Sequence, residues 1–236
     1  MTNILIIHAS PRRAHSISSN LALHFRQTLA KTGFSGKVVE RALTDNPPAF
    51  VTQEWIAAAF TPEDQRSQAD QAALAQSDIF IDEVAAADHI VVTTPMYNYG
   101  MPAILKAWID QVVRINRTFS FDLARGDWPL EPTLSGKSML VLSSRGEFGF
   151  HEGVRSQSNH LDPHLATCAG YLGVAKDAIE TIAVEYQEFK DARHQASLEQ
   201  AMIATERAAH EIAGTAVTEP GFQSSGHAEP AYSQAR

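Results

Sequence analysis

Three short segments hold the residues whose types and spacing could do chemistry. The first is Ala9-Ser10-Pro11-Arg12-Arg13-Ala14-His15-Ser16-Ile17-Ser18, with three serines and no glycine. Serine hydroxyls and backbone N–H groups at the start of a helix can hold a phosphate monoester, helped by the helix dipole. Ser16 or Ser18 could equally serve only as a cap, because serine is a preferred capping residue. The lack of glycine excludes a GxGxxG fingerprint and a Walker A loop here, since both need close backbone approach to phosphate.

The second segment is Pro95-Met96-Tyr97-Asn98-Tyr99-Gly100-Met101-Pro102. Tyrosine faces can stack on a flat heteroaromatic ring, and Asn or loop N–H groups can meet its carbonyls and nitrogens. A plain turn into a helix explains the Gly and the Pro but not the two tyrosines. The third segment, Ser143-Ser144-Arg145-Gly146-Glu147-Phe148-Gly149-Phe150-His151-Glu152-Gly153, has three glycines and two phenylalanines. Gly146 would let backbone amides approach a ligand edge. Arg145 could favour negative charge on a bound ring or form a salt bridge at the rim.

The elements that must position these segments follow from hydrophobic pattern. Strands are expected at 3–8, 37–42, 88–94, 137–143 and 178–184, and the first, third and fourth are continuous enough to be covered on both faces. The second is more polar and suits a sheet edge. Helices are expected at 17–31, 63–86, 102–116, 162–172 and 188–213. In the third of these, Met101, Ile104, Leu105, Trp108, Ile109, Val112 and Val113 follow helical spacing. In the fourth, Asp162 reads as the N-cap and Pro163 as the first helical residue. Alternating strands and helices with right-handed crossovers imply a doubly wound, flavodoxin-like α/β sheet of order 2-1-3-4-5. That order gathers 9–18, 94–102 and 143–153 around one crevice beyond the carboxyl ends of the strands. Long connections are left at 43–62 and 117–136, and 214–236 reads as a mobile tail after a domain spanning 1–213.

Composition narrows the function classes. The chain has 236 residues and a formal net charge of −8, a poor match for nucleic acid or an anionic membrane surface. One cysteine allows neither an internal disulfide nor a Cys/His zinc site, and Cys168 lies on an apolar helical stripe that suits core. No apolar run approaches a membrane span, and the first strand begins at once with no room for a signal peptide. A cytoplasmic protein is expected. His160 and His164 are separated by a helix start, so a metal site is not expected. Without a GxSxG elbow there is no α/β-hydrolase nucleophile.

Ser10-Pro11-Arg12 with Ser16 and Ser18, then Pro95-Met96-Tyr97-Asn98-Tyr99-Gly100-Met101-Pro102 running into Leu105-Lys106-Ala107-Trp108-Ile109-Asp110, then Ser144-Arg145-Gly146, resemble the FMN-dependent NADH:quinone oxidoreductase and azoreductase family. The resemblance spans about 1–213. It implies a homodimer with one FMN per subunit in a crevice completed by the partner. It also implies ping-pong chemistry, in which NADH or NADPH is oxidised and a quinone or azo compound is then reduced at the same site. Carried over by position, Ser10, Ser16, Ile17 and Ser18 would hold the phosphate. Met96, Tyr97, Asn98 and Tyr99 would line the isoalloxazine, with Ser144, Arg145, Gly146 and Glu147 at its pyrimidine side. Glu147 stands where the family usually has a second glycine; its carboxylate would lower the flavin potential if it faced the ring, or else points to solvent. Phe148 and Phe150 are expected to shape the substrate pocket, and His151 is the candidate proton donor. The wide apolar face around Trp108 leaves room for a second subunit or packs wholly on its own sheet. Two other classes compete: a flavodoxin-type electron carrier docking to redox partners, and a flavin-free binding module.

Overall fold

The computed structural model describes residues 2–12 and 15–215. In chain order the first elements are β1 (Ile4–His8), α1 (Ile17–Lys31), β2 (Val38–Ala42), α2 (Gln53–Phe60), α3 (Gln68–Ala86), β3 (His89–Pro95) and α4 (Ala103–Val112). They are followed by β4 (Phe119–Phe121), β5 (Leu130–Pro132), β6 (Lys137–Ser144), α5 (Asp162–Tyr171), β7 (Val174–Val184) and α6 (Ala192–Ala213). Five strands make one parallel sheet in the order β2-β1-β3-β6-β7, the expected 2-1-3-4-5 with the two short strands set aside.

Period-two alternation sorts the strand side chains onto two faces. Leu5, Ile7, Ile90, Val92, Met139 and Val141 pack under α3, α4 and α5, against Phe80, Ile81, Trp108 and Leu165. Ile4, Ile6, Val91, Leu140 and Leu142 pack over α1 and α6, against Leu21, Phe25, Ala201 and Ala208. Both faces of the central strands are therefore covered, as their unbroken Ile/Val/Leu composition requires. The polar β2 lies at the edge. Cys168 is buried on the α5 stripe with Leu161, Leu165 and Leu172.

Several boundaries differ from the sequence reading, each for a local reason. The 43–62 connection contains α2, begun by the Thr52 side chain accepting the Trp55 N–H at 3.2 Å. α3 starts at Gln68 because Ser67 and Asp70 form a reciprocal capping box. α4 stops at Val112, where the chain turns so that the fully buried Arg114 can pair with Asp78 of α3. The 117–136 connection holds the antiparallel pair β4–β5. α6 starts at Ala192, with Asp191 accepting the N–H groups of Arg193 and His194. Asp162 is not the cap of α5: Leu161 holds that place and Asp162 is the first helical residue, its carboxylate committed elsewhere. Of the expected tail, residues 216–236 lie outside the described residues.

Candidate functional site

Sheet register decides what emerges together. Pro95 lies beside Ser144 and Ser144 beside Val184, while the Ala9 N–H donates to the Thr93 carbonyl at 2.9 Å. Ser10, Met96, Arg145 and Glu185 therefore leave the sheet side by side. The chain runs from β1 to β2 on one side and on to β3 on the other, so this edge is the topological switch point where open α/β sheets bind ligands.

At the start of α1, Ser16 accepts the Ser19 N–H at 3.3 Å and so caps the helix. Its Oγ also lies 3.0 Å from the Oγ of the buried Ser18. Ser10 is buried nearby, with the Arg12 N–H on its hydroxyl at 3.4 Å. The N–H groups of Ile17 and Ser18 fall in the first turn, where an α-helix has no acceptor of its own. Capping and anion binding are thus compatible here, because the cap uses one donor and leaves others. Arg13 and Ala14 lie outside the described residues.

After β3 the chain makes a two-residue hairpin. Tyr97 and Gly100 exchange both backbone hydrogen bonds at 2.9 Å, and the central residues Asn98 and Tyr99 have φ of 48° and 66°. A turn of this hand needs left-handed backbone at both central positions. Asn tolerates that; a tyrosine there is a genuine outlier, and such strain collects at functional sites. Tyr97 and Tyr99 are 40% and 45% exposed. Three ties hold Tyr99 in place: its hydroxyl donates to Glu147 Oε2 at 3.0 Å, its carbonyl accepts the His160 N–H at 2.9 Å, and its ring lies 6.1 Å from that of Phe150. Hydrogen bonding to a carboxylate, and its charge, push the phenol above its ordinary pKa. Met96 is half-buried against the core and donates its N–H to the Ser144 carbonyl at 2.8 Å.

The third segment departs most from expectation. Arg145 is only 2% exposed; its Nη2 donates to both Asp162 oxygens at 2.8 and 2.7 Å, and Nη1 lies 3.6 Å from Glu185. The guanidinium is a buried structural strut, so the ion-pair alternative describes this side chain, in the interior and not at the rim. Gly146 packs closely under the segment after β7, where a Cβ would meet Glu188 Cγ at 3.0 Å and that side chain would have to shift. Glu147 keeps 34% of its side chain exposed but does not stand alone, because Arg155 donates to its Oε1 at 2.8 Å. Phe150 is buried behind Tyr99, and Phe148 stacks on Tyr186 with centroids 4.4 Å apart. Neither is a free pocket wall. His151 is 88% exposed, with Glu152 at 3.7 Å, and among the described residues no hydrogen bond ties it to the other two loops. A proton-donor role has no geometric support.

The sequence reading left 185–187 unassigned and put 188–190 in the last helix, whereas 185–190 forms a loop ahead of α6. Tyr186, Gln187 and Glu188 donate their N–H groups to the carbonyls of Glu147, Arg145 and Gly146 at 3.0, 3.2 and 3.0 Å. The Glu185 carboxylate accepts the N–H groups of Gly149 and Phe150. Tyr186 and Phe189, two aromatics three residues apart directly after a strand, were the available signal.

Comparison with known proteins agrees with this geometry. A family model described as "Flavodoxin-like fold" matches residues 2–208. The "FMN-dependent NADH:quinone oxidoreductase 2" of Colwellia psychrerythraea is 51% identical over 209 residues, 85% of this chain and 94% of that protein. The chain belongs to this flavodoxin-like oxidoreductase family. Another relative is the "FMN-dependent NAD(P)H:quinone oxidoreductase 1" of Pseudomonas aeruginosa, 41% identical over 89% of this chain and all of that one. Among solved structures, an azoreductase from Bacillus anthracis superposes with a TM-score of 0.79 at 21% identity, over 89% of this chain and 100% of its own. That likeness bears on the fold alone.

Proposed function

We propose that the chain binds FMN and oxidises NADH or NADPH to reduce quinones by two electrons and to cleave azo compounds reductively, in a ping-pong cycle. The observation that carries this reading is the switch-point edge of the sheet, where a serine-rich helix start and an exposed, strained tyrosine turn follow neighbouring strands in a chain of this family. The residues present fit the cofactor. Ser10, Ser16, Ile17 and Ser18 offer hydroxyls and first-turn N–H groups to a phosphate. Met96, Tyr97, Asn98 and Tyr99 offer apolar faces and an amide to a ring, and Ser144, Gly146, Glu147 and the Arg145 backbone bound its other edge. When bound, FMN supplies hydride acceptance and two-electron delivery. The protein's own part is to anchor, orient and keep one slot open for two substrates in turn. Protons come from water in this scheme. An electron-carrier role has less support, because relatives matched over 94% and 100% of their lengths bear enzyme names.

An anaerobic titration of the FMN-loaded protein with NADH, then NADPH, followed by quinone, tests this. Loss of the oxidised flavin band and its full return on adding quinone are the expected results. Bound flavin that neither nucleotide bleaches would instead indicate the electron carrier, and a protein that takes up no FMN the flavin-free module.

The reading includes a homodimer, one domain over 1–213 and a cytoplasmic location. Among the described residues no helix is long and apolar enough to cross a membrane, and a single cysteine suits a reducing compartment. Support for the dimer comes from apolar side chains on the α2 and β4–β5 region: Phe50, Phe60, Phe121, Leu123 and the 84%-exposed Trp128. Exposed apolar groups in such number mark an interaction surface. Trp128→Asp is expected to weaken self-association by about 30-fold or more, as for loss of an interface anchor. Sedimentation at graded concentrations reads this, and an unchanged mass at low concentration would remove the hairpin from the interface.

A further inference from the structure

Two segments 48 residues apart meet through one carboxylate, where the Tyr99 hydroxyl donates to Glu147 Oε2 at 3.0 Å. Glu147 is fixed from behind. Arg155 Nη2 donates to its other oxygen at 2.8 Å, and the Glu147 carbonyl accepts the Tyr186 N–H at 3.0 Å. Arg155 is itself held, with Nη1 3.4 Å from the Phe148 carbonyl and its guanidinium 4.8 Å from the Phe148 ring centroid. The less constrained partner is therefore Tyr99, half exposed and in a left-handed turn that its side-chain type disfavours.

We propose that Glu147 is a positioning residue for the two substrates: it latches the Tyr99 ring at the crevice mouth and makes it a fixed wall of the slot. The role rests on the FMN reading. With the tether, the ring edge stays over Phe150 and the slot keeps one width. Without it, Tyr99 is free to turn about its side-chain bonds, and a bulky planar acceptor loses the surface it packs on. Arg155, bonded to the opposite carboxylate oxygen, holds the latch in place from its other side.

Four variants of the holoenzyme test the latch: Tyr99→Phe, Glu147→Ala, Glu147→Gln and the double Tyr99→Phe/Glu147→Ala. Either of the first two should raise KM for a naphthoquinone about tenfold, the scale of one hydrogen bond to a charged group. The loss should fall more heavily on KM than on kcat, the split expected of a residue that positions an acceptor. The double variant should be no worse than either single, since both remove one interaction. Glu147→Gln, which still offers the phenol an acceptor, should recover part of the loss. A second readout needs no turnover. In flavin-free protein carrying ring-labelled tyrosine, Tyr99→Phe assigns one of the five tyrosine signals, and Glu147→Gln should lower the pH at which that phenol titrates. Unchanged KM in both single variants, additive effects, or an unmoved phenol titration would each overturn the latch. Wild-type protein that takes up no FMN would instead overturn the flavin reading on which the role depends.

Discussion

Asp162→Ala is expected to destabilise the protein by about 3 kcal/mol, the lower end of the range for removing one partner of a buried ion pair. The Arg145 guanidinium would keep its place in the interior, 2% exposed, with Glu185 at 3.6 Å as its remaining counter-charge. Glu185 is already occupied by the N–H groups of Gly149 and Phe150, so its compensation is partial. Asn159 would lose its bond to Asp162 as well, made at 2.7 Å. For a chain of this size the loss corresponds to a fall in Tm of roughly 6–12 °C. Flavin affinity should fall with it, because the Arg145 backbone, bonded to Val184 at 2.8 Å, borders the crevice. Arg145→Met/Asp162→Leu should be more stable than Asp162→Ala alone, since replacing both partners removes the unpaired charge. Thermal melts of the wild type and these two variants decide the matter; equal melting of the single and double replacements would show that the pair is not the source of the effect.

Trp108→Ala is expected to cost about 3–5 kcal/mol, the range for truncating a buried aromatic. Trp108 is fully buried between the sheet and the helix layer, in contact with the cluster that contains Leu5, Val92 and Val141. Its effect should appear as a lower denaturant midpoint at every protein concentration. Trp128→Asp should do the reverse, shifting association while leaving unfolding of the isolated subunit nearly unchanged. Weakened self-association in Trp108→Ala, read by sedimentation, would place that helix at the interface after all.

The contrast between these two tryptophans shows where sequence reading succeeds. The spacing of Leu105, Trp108, Ile109 and Val112 placed α4 and its buried stripe, and continuous apolar runs placed the central strands. Periodicity reports that a face is apolar but not what covers it, so the stripe left the dimer question open. Short elements were the hardest to see: α2 depends on a cap and on the Trp55 indole donating to Gln111 at 2.9 Å, and β4–β5 on Arg117 reaching back to Asp78 and Asp82. For the site, the serine, tyrosine and Ser-Arg-Gly loops were legible by position, because strand order alone gathers them. The orientation of their side chains was not. Arg145 turns inward to Asp162 and Glu147 outward to Tyr99 and Arg155, through partners 17, 48 and 8 residues away. Local composition carries no trace of such pairings.

Strand order has a further consequence, for how the molecule is assembled over time. β1 is second in the sheet and first in the chain, and its inner edge must wait for β3, some 85 residues later. On a ribosome, Ile4-Leu5-Ile6-Ile7 therefore emerges early and can pair only with β2 until nearly half the polypeptide has been made. Parallel, non-local pairing of this kind folds slowly and leaves apolar strand edges open to wrong partners. The same topology that creates a ligand crevice makes the nascent amino-terminal third the stretch most in need of protection during synthesis.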